Sequence, residues 1–358
     1  MIIGHGGNIF DVAERLGCNP SDIIDMSSNL NPLGPPPGLV QHLKDNMDTI
    51  ISLPEVNSKK ITSMLADRYG IAHECVLAGN GTTQFIYSIP RALETQKALV
   101  VGPSYADYND ACAMHHADCQ IFITKESDGF RPDPEELNKA VSKVDTVFIC
   151  NPNNPTGVLW DNGELEELCR SHPETYFVID ESYLPFARDS YSESAINFKL
   201  PNVLVLNSMS KVFRIPGLRV GFLLAPVTMI YRFEPLILPW SVNALAQAAV
   251  EFVLENRTIV DEFLKETRVF VQHEKQVFLD SIASESRVAC YPGSTYFVLA
   301  KLQEPFMATD LCNALLEQKI LIRNCSNFTG LDARYVRFSL KDRETNMRLS
   351  HYLKQSWG

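Results

Sequence analysis

Two hydrophobic patterns alternate along most of the chain. Short, nearly continuous apolar runs lie at residues 75–78, 98–101, 120–124, 146–150, 176–179, 203–206 and 220–224. Runs of this length with little alternation predict strands, those at 176–179 and 203–206 buried ones. Between them lie stretches whose apolar side chains recur every three or four positions. In 60–69, Ile61, Leu65 and Tyr69 share one face and Gly70 follows as a stop, which predicts a helix. Helices are likewise predicted from Phe85 onward, opening at 103–108, and over 134–141 and 164–169. Strands alternating with helices imply a mostly parallel sheet covered on both sides, with ligands beyond the carboxyl ends of its strands.

After Pro226 the pattern changes. Residues 227–234 read as a helix, 239–243 as a break, and 244–254 and 258–282 as long helices. Beyond Arg287 come two strands (the second at 296–302), a helix at 308–316, strands at 320–323 and 335–340, and a helix at 344–357. This predicts a small α+β unit. At the other end, an amphipathic stretch reaches Leu16, and residues 25–35 are so rich in turn formers that they read as a loop. The expected organisation is an N-terminal arm over 1–40 that forms part of the site, a large domain over 41–255 and a small domain over 256–358.

Bulk properties narrow the chemistry. A net charge of −11 over 358 residues argues against a nucleic-acid partner. An anionic ligand would need a local group of arginines. Nine cysteines, an odd number without a CxxC pair, suit reduced thiols in a cytoplasmic protein and offer no metal site. No apolar run approaches membrane-spanning length, and the first residues lack a signal-peptide pattern.

Candidate chemistry clusters at the predicted strand ends. Lys211 stands just beyond the run 203–206, flanked by Ser208 and Ser210, with Gly217 and Arg219 after it. A lysine at the end of a buried strand is biased toward its neutral form, because desolvation disfavours the ammonium. A neutral amine can condense with an aldehyde, and two hydroxyls plus an arginine can hold a phosphate. That combination is what pyridoxal 5'-phosphate (PLP) requires. Gly79-Asn80-Gly81-Thr82 joins a strand to a helix and offers a phosphate cradle. Asn154, in a rigid turn between prolines, either closes the turn or donates to a ring oxygen. Asp180 ends the run 176–179 and either caps a helix or pairs with a pyridinium nitrogen. The arginines at 323 and 337 sit in strand-like segments, where each either snorkels to water or grips an anion. The pair Gly6-Gly7 beside His5 and Asn8 is either a flexible arm or a backbone anion site.

Taken in order, Asn-Pro-Thr-Gly at 154–157, Asp-x-x-Tyr at 180–183, Ser-x-Ser-Lys at 208–211 and Arg219 resemble the fold-type I PLP enzymes of the aspartate-aminotransferase superfamily. The resemblance covers nearly the whole chain and implies their α/β fold. It implies Lys211 as the Schiff-base lysine and proton shuttle, and Asp180 as the partner of the pyridinium. Asn154 and Tyr183 would hold the ring's phenolic oxygen. Gly81, Thr82, Ser208, Ser210 and Arg219 would hold the phosphate, Tyr105 would stack on the ring, and Arg337 would receive the substrate's α-carboxylate. Two groups share more of the chain: the histidinol-phosphate aminotransferases and the L-threonine-O-3-phosphate decarboxylases of cobalamin biosynthesis. The resemblance to the decarboxylases is the closer one, through His5–Asn8, Ser27–Gly34, Pro239–Ala246 and Ile320–Arg323. It implies that His5, Gly6, Asn29 and Arg323 bind a substrate phosphate, that a small phosphorylated amino acid is decarboxylated, and that the protein is a homodimer. The alternatives are a serine-phosphate decarboxylase and a histidinol-phosphate aminotransferase. One departure stands out: Leu53-Pro54-Glu55 occupies the place of a Tyr-Pro-Asp run, so a cross-subunit tyrosine hydroxyl on the cofactor phosphate is missing.

Overall fold

A computed structural model describes residues 6–355. His5, one of the expected phosphate ligands, lies outside them. Seven strands form the main sheet, in the order Val76–Gly79, Gly221–Leu224, Val203–Ser208, Tyr176–Asp180, Thr146–Cys150, Lys97–Gly102, Asp118–Ile123. Only Gly221–Leu224 runs against its neighbours; the remaining pairs are parallel. Every residue of Thr146–Cys150 and Val203–Ser208 is buried. Their apolar side chains all belong to the larger core, which is why these strands carry apolar runs without alternation. The register aligns Cys150 with Asp180 and Asp180 with Leu206. The turns after three adjacent strands therefore open side by side at one end of the sheet.

The antiparallel strand at 221 has a local reason for its glycine. A Cβ at Gly221 would stand 2.5 Å from the backbone nitrogen of Thr82. Only glycine lets the first turn of the helix Gly81–Ala92 lie this close to the sheet.

A second sheet has four antiparallel strands, ordered Arg323–Asn324, Tyr335–Ser339, Phe297–Leu302, Val288–Tyr291. One face packs on Phe278, Leu311, Leu315 and Leu349 from three helices. The long helix Arg257–Ser281 serves both cores, with Phe263 and Leu264 in the larger and Phe278 in the smaller. Among the described residues no helix is long and apolar enough to cross a membrane.

Two expectations need correction. The strand expected over 320–323 is two. Ile320–Leu321 pairs in parallel with Ile24–Asp25, while Arg323–Asn324 joins the four-stranded sheet. The expected loop over 25–35 correspondingly begins with a strand residue. Both follow from backbone hydrogen-bonding demand: Met26 is fully buried, and its N–H donates to Leu321 while its carbonyl accepts from Ser339, each at 2.8 Å.

Candidate active site

The parallel strand ends and the first turn of the helix Gly81–Ala92 enclose a cavity of about 100 Å³. Gly81, Thr82, Tyr105, Asn154, Asp180, Tyr183, Ser208, Ser210, Lys211 and Arg219 all line it. Asp180 is buried and accepts three hydrogen bonds. Ser182 donates twice to Oδ1, from its backbone at 2.9 Å and its hydroxyl at 2.6 Å, and the Tyr108 hydroxyl donates to Oδ2 at 2.8 Å. Burial raises the Asp180 pKa, and these donors and the Lys211 charge pull it back only in part. The carboxylate thus closes a local turn with Ser182 and does not cap a helix.

Lys211 sits in the short helix Met209–Val212 directly after the strand Val203–Ser208. It lines this cavity and a larger one beside it. Its pKa falls to about 8, first through burial and then through the nearby charges of Arg219 and Arg337, against the opposing pull of Asp180. An amine this close to neutrality is a competent nucleophile and proton carrier.

At the other end of the cavity, Gly81 has φ +73°, and a Cβ there would stand 2.8 Å from Nη2 of Arg219. The absent side chain allows the guanidinium to lie across the start of the helix, where free N–H groups and the helix dipole favour an anion. Ser208 and Ser210 are buried beside it.

The larger cavity, about 560 Å³, shares Tyr105, Asn154, Tyr183 and Lys211 with the first. Gly6, Ser27, Ser28, Asn29, Arg323 and Arg337 are among its other walls. Arg337 is 4% exposed, so it is no solvated strand residue. Its Nη1 donates to Asn154 Oδ1 and its Nη2 to the Ser27 carbonyl at 2.6 Å. Its Nε is buried without a hydrogen-bond partner among the described residues. Because Nη1 must donate, Asn154 presents its carbonyl oxygen to Arg337 and keeps its amide hydrogens for the cavity. Asn29 donates to the Tyr183 hydroxyl at 3.1 Å and accepts from Ser339 Oγ. Burial pushes the Tyr183 phenol up to about 12, so it stays protonated with its hydrogen available. Arg323 donates to the Asn324 carbonyl and to Asn327 Oδ1, at 2.7 and 2.8 Å, over the Phe328 ring.

The arm departs from one reading. The Gly7 N–H donates to Ser27 Oγ at 2.7 Å, and Asn8 caps the helix Ile9–Leu16. The Gly7 N–H is therefore spent on the loop at Ser27, and the Asn8 side chain on the start of its own helix. A Cβ on Gly6 would meet the Ser27 carbonyl at 2.7 Å. Sequence reasoning missed Tyr108, Ser182, Ser27 and Ser339. Ser182 was legible, since an Asp accepting from the residue two positions on is a common turn. The other three gain their roles only through long-range contacts.

Comparisons with known proteins place this architecture. Residues 21–353 match the model of the family described as aminotransferase class I and II. Threonine-phosphate decarboxylase of Salmonella typhimurium is 32% identical over 96% of this chain and 94% of that protein. The adenosylcobalamin biosynthesis bifunctional protein CobDQ of Leptospira interrogans is 30% identical, but the chain spans only 40% of its length. Among solved structures, L-threonine-O-3-phosphate decarboxylase from Porphyromonas gingivalis superposes with a TM-score of 0.83 at 31% identity, covering 93% of this chain and 98% of that one. Histidinol-phosphate aminotransferase from Clostridium acetobutylicum gives a TM-score of 0.85 at 25% identity, with the same coverage. The chain belongs to the aminotransferase class I and II family.

Proposed function

We propose that this protein is a PLP-dependent decarboxylase of a small phosphorylated amino acid, with L-threonine O-3-phosphate as substrate and 1-amino-2-propanol O-2-phosphate as product. The residues present fit the cofactor. An amine, a buried carboxylate and an anion cradle converge on one cavity, and the missing Cβ of Gly81 leaves space beside Arg219. Lys211 would bind it covalently, Asp180 would face its ring nitrogen, and Asn154 and Tyr183 would donate to its ring oxygen. Gly81, Thr82, Ser208, Ser210 and Arg219 would hold its phosphate, with Tyr105 against the ring. Bound there, PLP supplies an aldehyde that condenses with the substrate amine and a ring that accepts the electron pair released at Cα.

The observation that carries the reading is the pair of arginines in the larger cavity. Arg323 and Arg337 both line it, and the buried Nε of Arg337 has no partner among the described residues. An amino-acid phosphate has two anionic groups, a carboxylate and a phosphate, to match two guanidinium groups. Histidinol phosphate has only one, while the 2-oxoglutarate of the aminotransferase reaction has two carboxylates. The arginine pair therefore supports a doubly anionic substrate, and an assay of both reactions separates them. Held at both ends by Arg323 and Arg337, the substrate would be oriented for loss of its carboxylate as carbon dioxide, and Lys211, as the ammonium, would return a proton to Cα. Gly6 and Asn29 complete the wall near the substrate phosphate. Supplying the PLP-loaded protein with threonine phosphate, serine phosphate, or histidinol phosphate with 2-oxoglutarate tests this. Carbon dioxide release from the first is expected. Glutamate formation from the last, without carbon dioxide from the others, would replace the reading with an aminotransferase.

The same reading includes a homodimer. Ile50, Ile51, Leu53, Leu238 and Trp240 are exposed, and the Trp240 N–H donates to the Val56 carbonyl at 3.0 Å, so the two stretches adjoin. Asn80, next to the cradle, donates to the Ser241 carbonyl at 3.3 Å. An apolar surface this close to the site suits coverage by a second copy. A single-copy mass in light scattering would remove the dimer from the proposal.

A further inference from the structure

The four-stranded sheet holds the arginines, yet Lys211 follows directly on a strand of the seven-stranded sheet. Something must fix one against the other to within the tolerance that a reaction needs. The contacts around Glu126 meet that requirement. Glu126 opens the turn Glu126–Asp128 that follows Asp118–Ile123, the edge strand of the parallel sheet. Its carboxylate accepts from Tyr291, from Tyr335 at 2.6 Å and from Lys301 at 2.5 Å. Those three residues lie on three consecutive strands of the other sheet. Phe130, a few residues after Glu126, packs edge-on against Tyr291 and Tyr335, with ring centroids 5.2 and 6.3 Å apart.

The register joins this cluster to the site. Tyr335 and Arg337 are two apart on one strand, so they share a face; the intervening Val336 and the following Phe338 turn into the opposite core. Arg323 is the cross-strand partner of Arg337, and the Cys325 N–H donates to the Tyr335 carbonyl at 2.8 Å. Lys301 is the partner of Tyr335 on the other side. A shift of Tyr335 therefore moves both arginines. Burial acts against the Glu126 carboxylate, but Lys301, Tyr291 and Tyr335 together hold it down at about 2.

We propose that Glu126, with Tyr291, Tyr335 and Lys301, is a latch between the two sheets that positions Arg337 and Arg323 over the cofactor cavity and so sets affinity for the doubly anionic substrate. Glu126 touches no reacting atom; it is a positioning residue. The inference rests on the decarboxylase reading for its substrate but not for its geometry.

Glu126→Gln removes the charge and keeps the size. The expected result is a KM for threonine phosphate raised about tenfold, the scale of one charge-assisted hydrogen bond, with kcat within about twofold and unchanged cofactor absorbance. Glu126→Asp should recover part of the KM. Hydrogen exchange of Arg323–Asn324 and Tyr335–Ser339 should quicken in Glu126→Gln. A KM that stays within twofold, or a kcat that falls together with cofactor content, overturns the latch. If the wild-type protein decarboxylates no amino-acid phosphate, the functional reading fails separately. The latch then stands or falls on the exchange rates, and unchanged rates refute it.

Discussion

The cofactor side and the substrate side of the site are built in different ways. The smaller cavity takes its polar residues from the ends of neighbouring strands in one sheet and from one helix start. Its parts are preset by the register of strands that are buried for other reasons. The larger cavity draws on the N-terminal loop, the turn at Asn154 and the four-stranded sheet. It is held by single buried bonds between distant parts of the chain: Arg337 to Ser27 and to Asn154, and Asn29 to Ser339 and to Tyr183. Asn31 adds another link, because its amide donates to the Val212 carbonyl at 2.8 Å and to Thr267 at 3.0 Å. One half of the site inherits its geometry from a core. The other depends on individual polar contacts, so it should be easier to alter without unfolding the protein.

Changes on the two sides should therefore fail differently. The largest effect is expected from Lys211→Ala on the cofactor side. Turnover should drop by about 10⁴-fold or more, since nucleophile and proton carrier vanish together, and the visible absorbance of bound PLP should change with it. Retained turnover would sink the assignment. On the substrate side, Arg337→Gln should cost about 10–150-fold in kcat/KM, mainly in KM, the range of one charged hydrogen bond. Its cofactor spectrum should match the wild type; a variant that cannot hold PLP would erase the distinction between the two sides.

Tyr108→Phe sharpens the contrast from within the cofactor side. It removes one of the three donors to Asp180 and leaves the substrate cavity untouched. Losing a donor to the carboxylate favours its protonated form, so the acid limb of the activity profile should move to higher pH. The expected drop is about tenfold in kcat near neutrality, with KM little changed. An acid limb that does not move would show that Tyr108 only fills space.

The smallest effect concerns folding of the cofactor-free protein. The folded pKa of Lys211, about 8, lies below its ordinary value of 10.5. The unfolded chain binds more protons between those limits, so stability should rise as pH climbs from about 8 to about 10.5. Lys275 and Lys341, also lowered to about 8 by burial, contribute in the same direction. Lys211→Met should flatten the rise in urea unfolding but leave a remainder. An unchanged slope would mean that the amine is better solvated than its position implies.

Much of this is legible in the residue pattern alone. The helix Pro134–Val141 and the strand Thr146–Cys150 fall where the apolar spacing puts them. Ten expected cofactor residues converge on one cavity; all but Arg219, which precedes a strand, lie at or just beyond a strand end or open a helix, and such positions carry their own local marks. Ile320–Arg323 could not be divided by inspection, since Ile322 is apolar and buried like its neighbours. Only the competing demands of two sheets split that run. Glu126 looked like any charge on a surface turn, and Tyr335 like any strand aromatic.

Local sequence determined the alternating elements, the chemistry at the strand ends and the identity of the amine, because periodicity, turn residues and short spacings act over a few positions. Tertiary structure decided which way Arg337 faces, what holds Asn154 in its orientation, and which residues join the two sheets. Those outcomes depend on bonds between groups up to 310 positions apart. No local pattern encodes such a bond. It forms because a buried donor must find whichever acceptor the completed fold brings within reach.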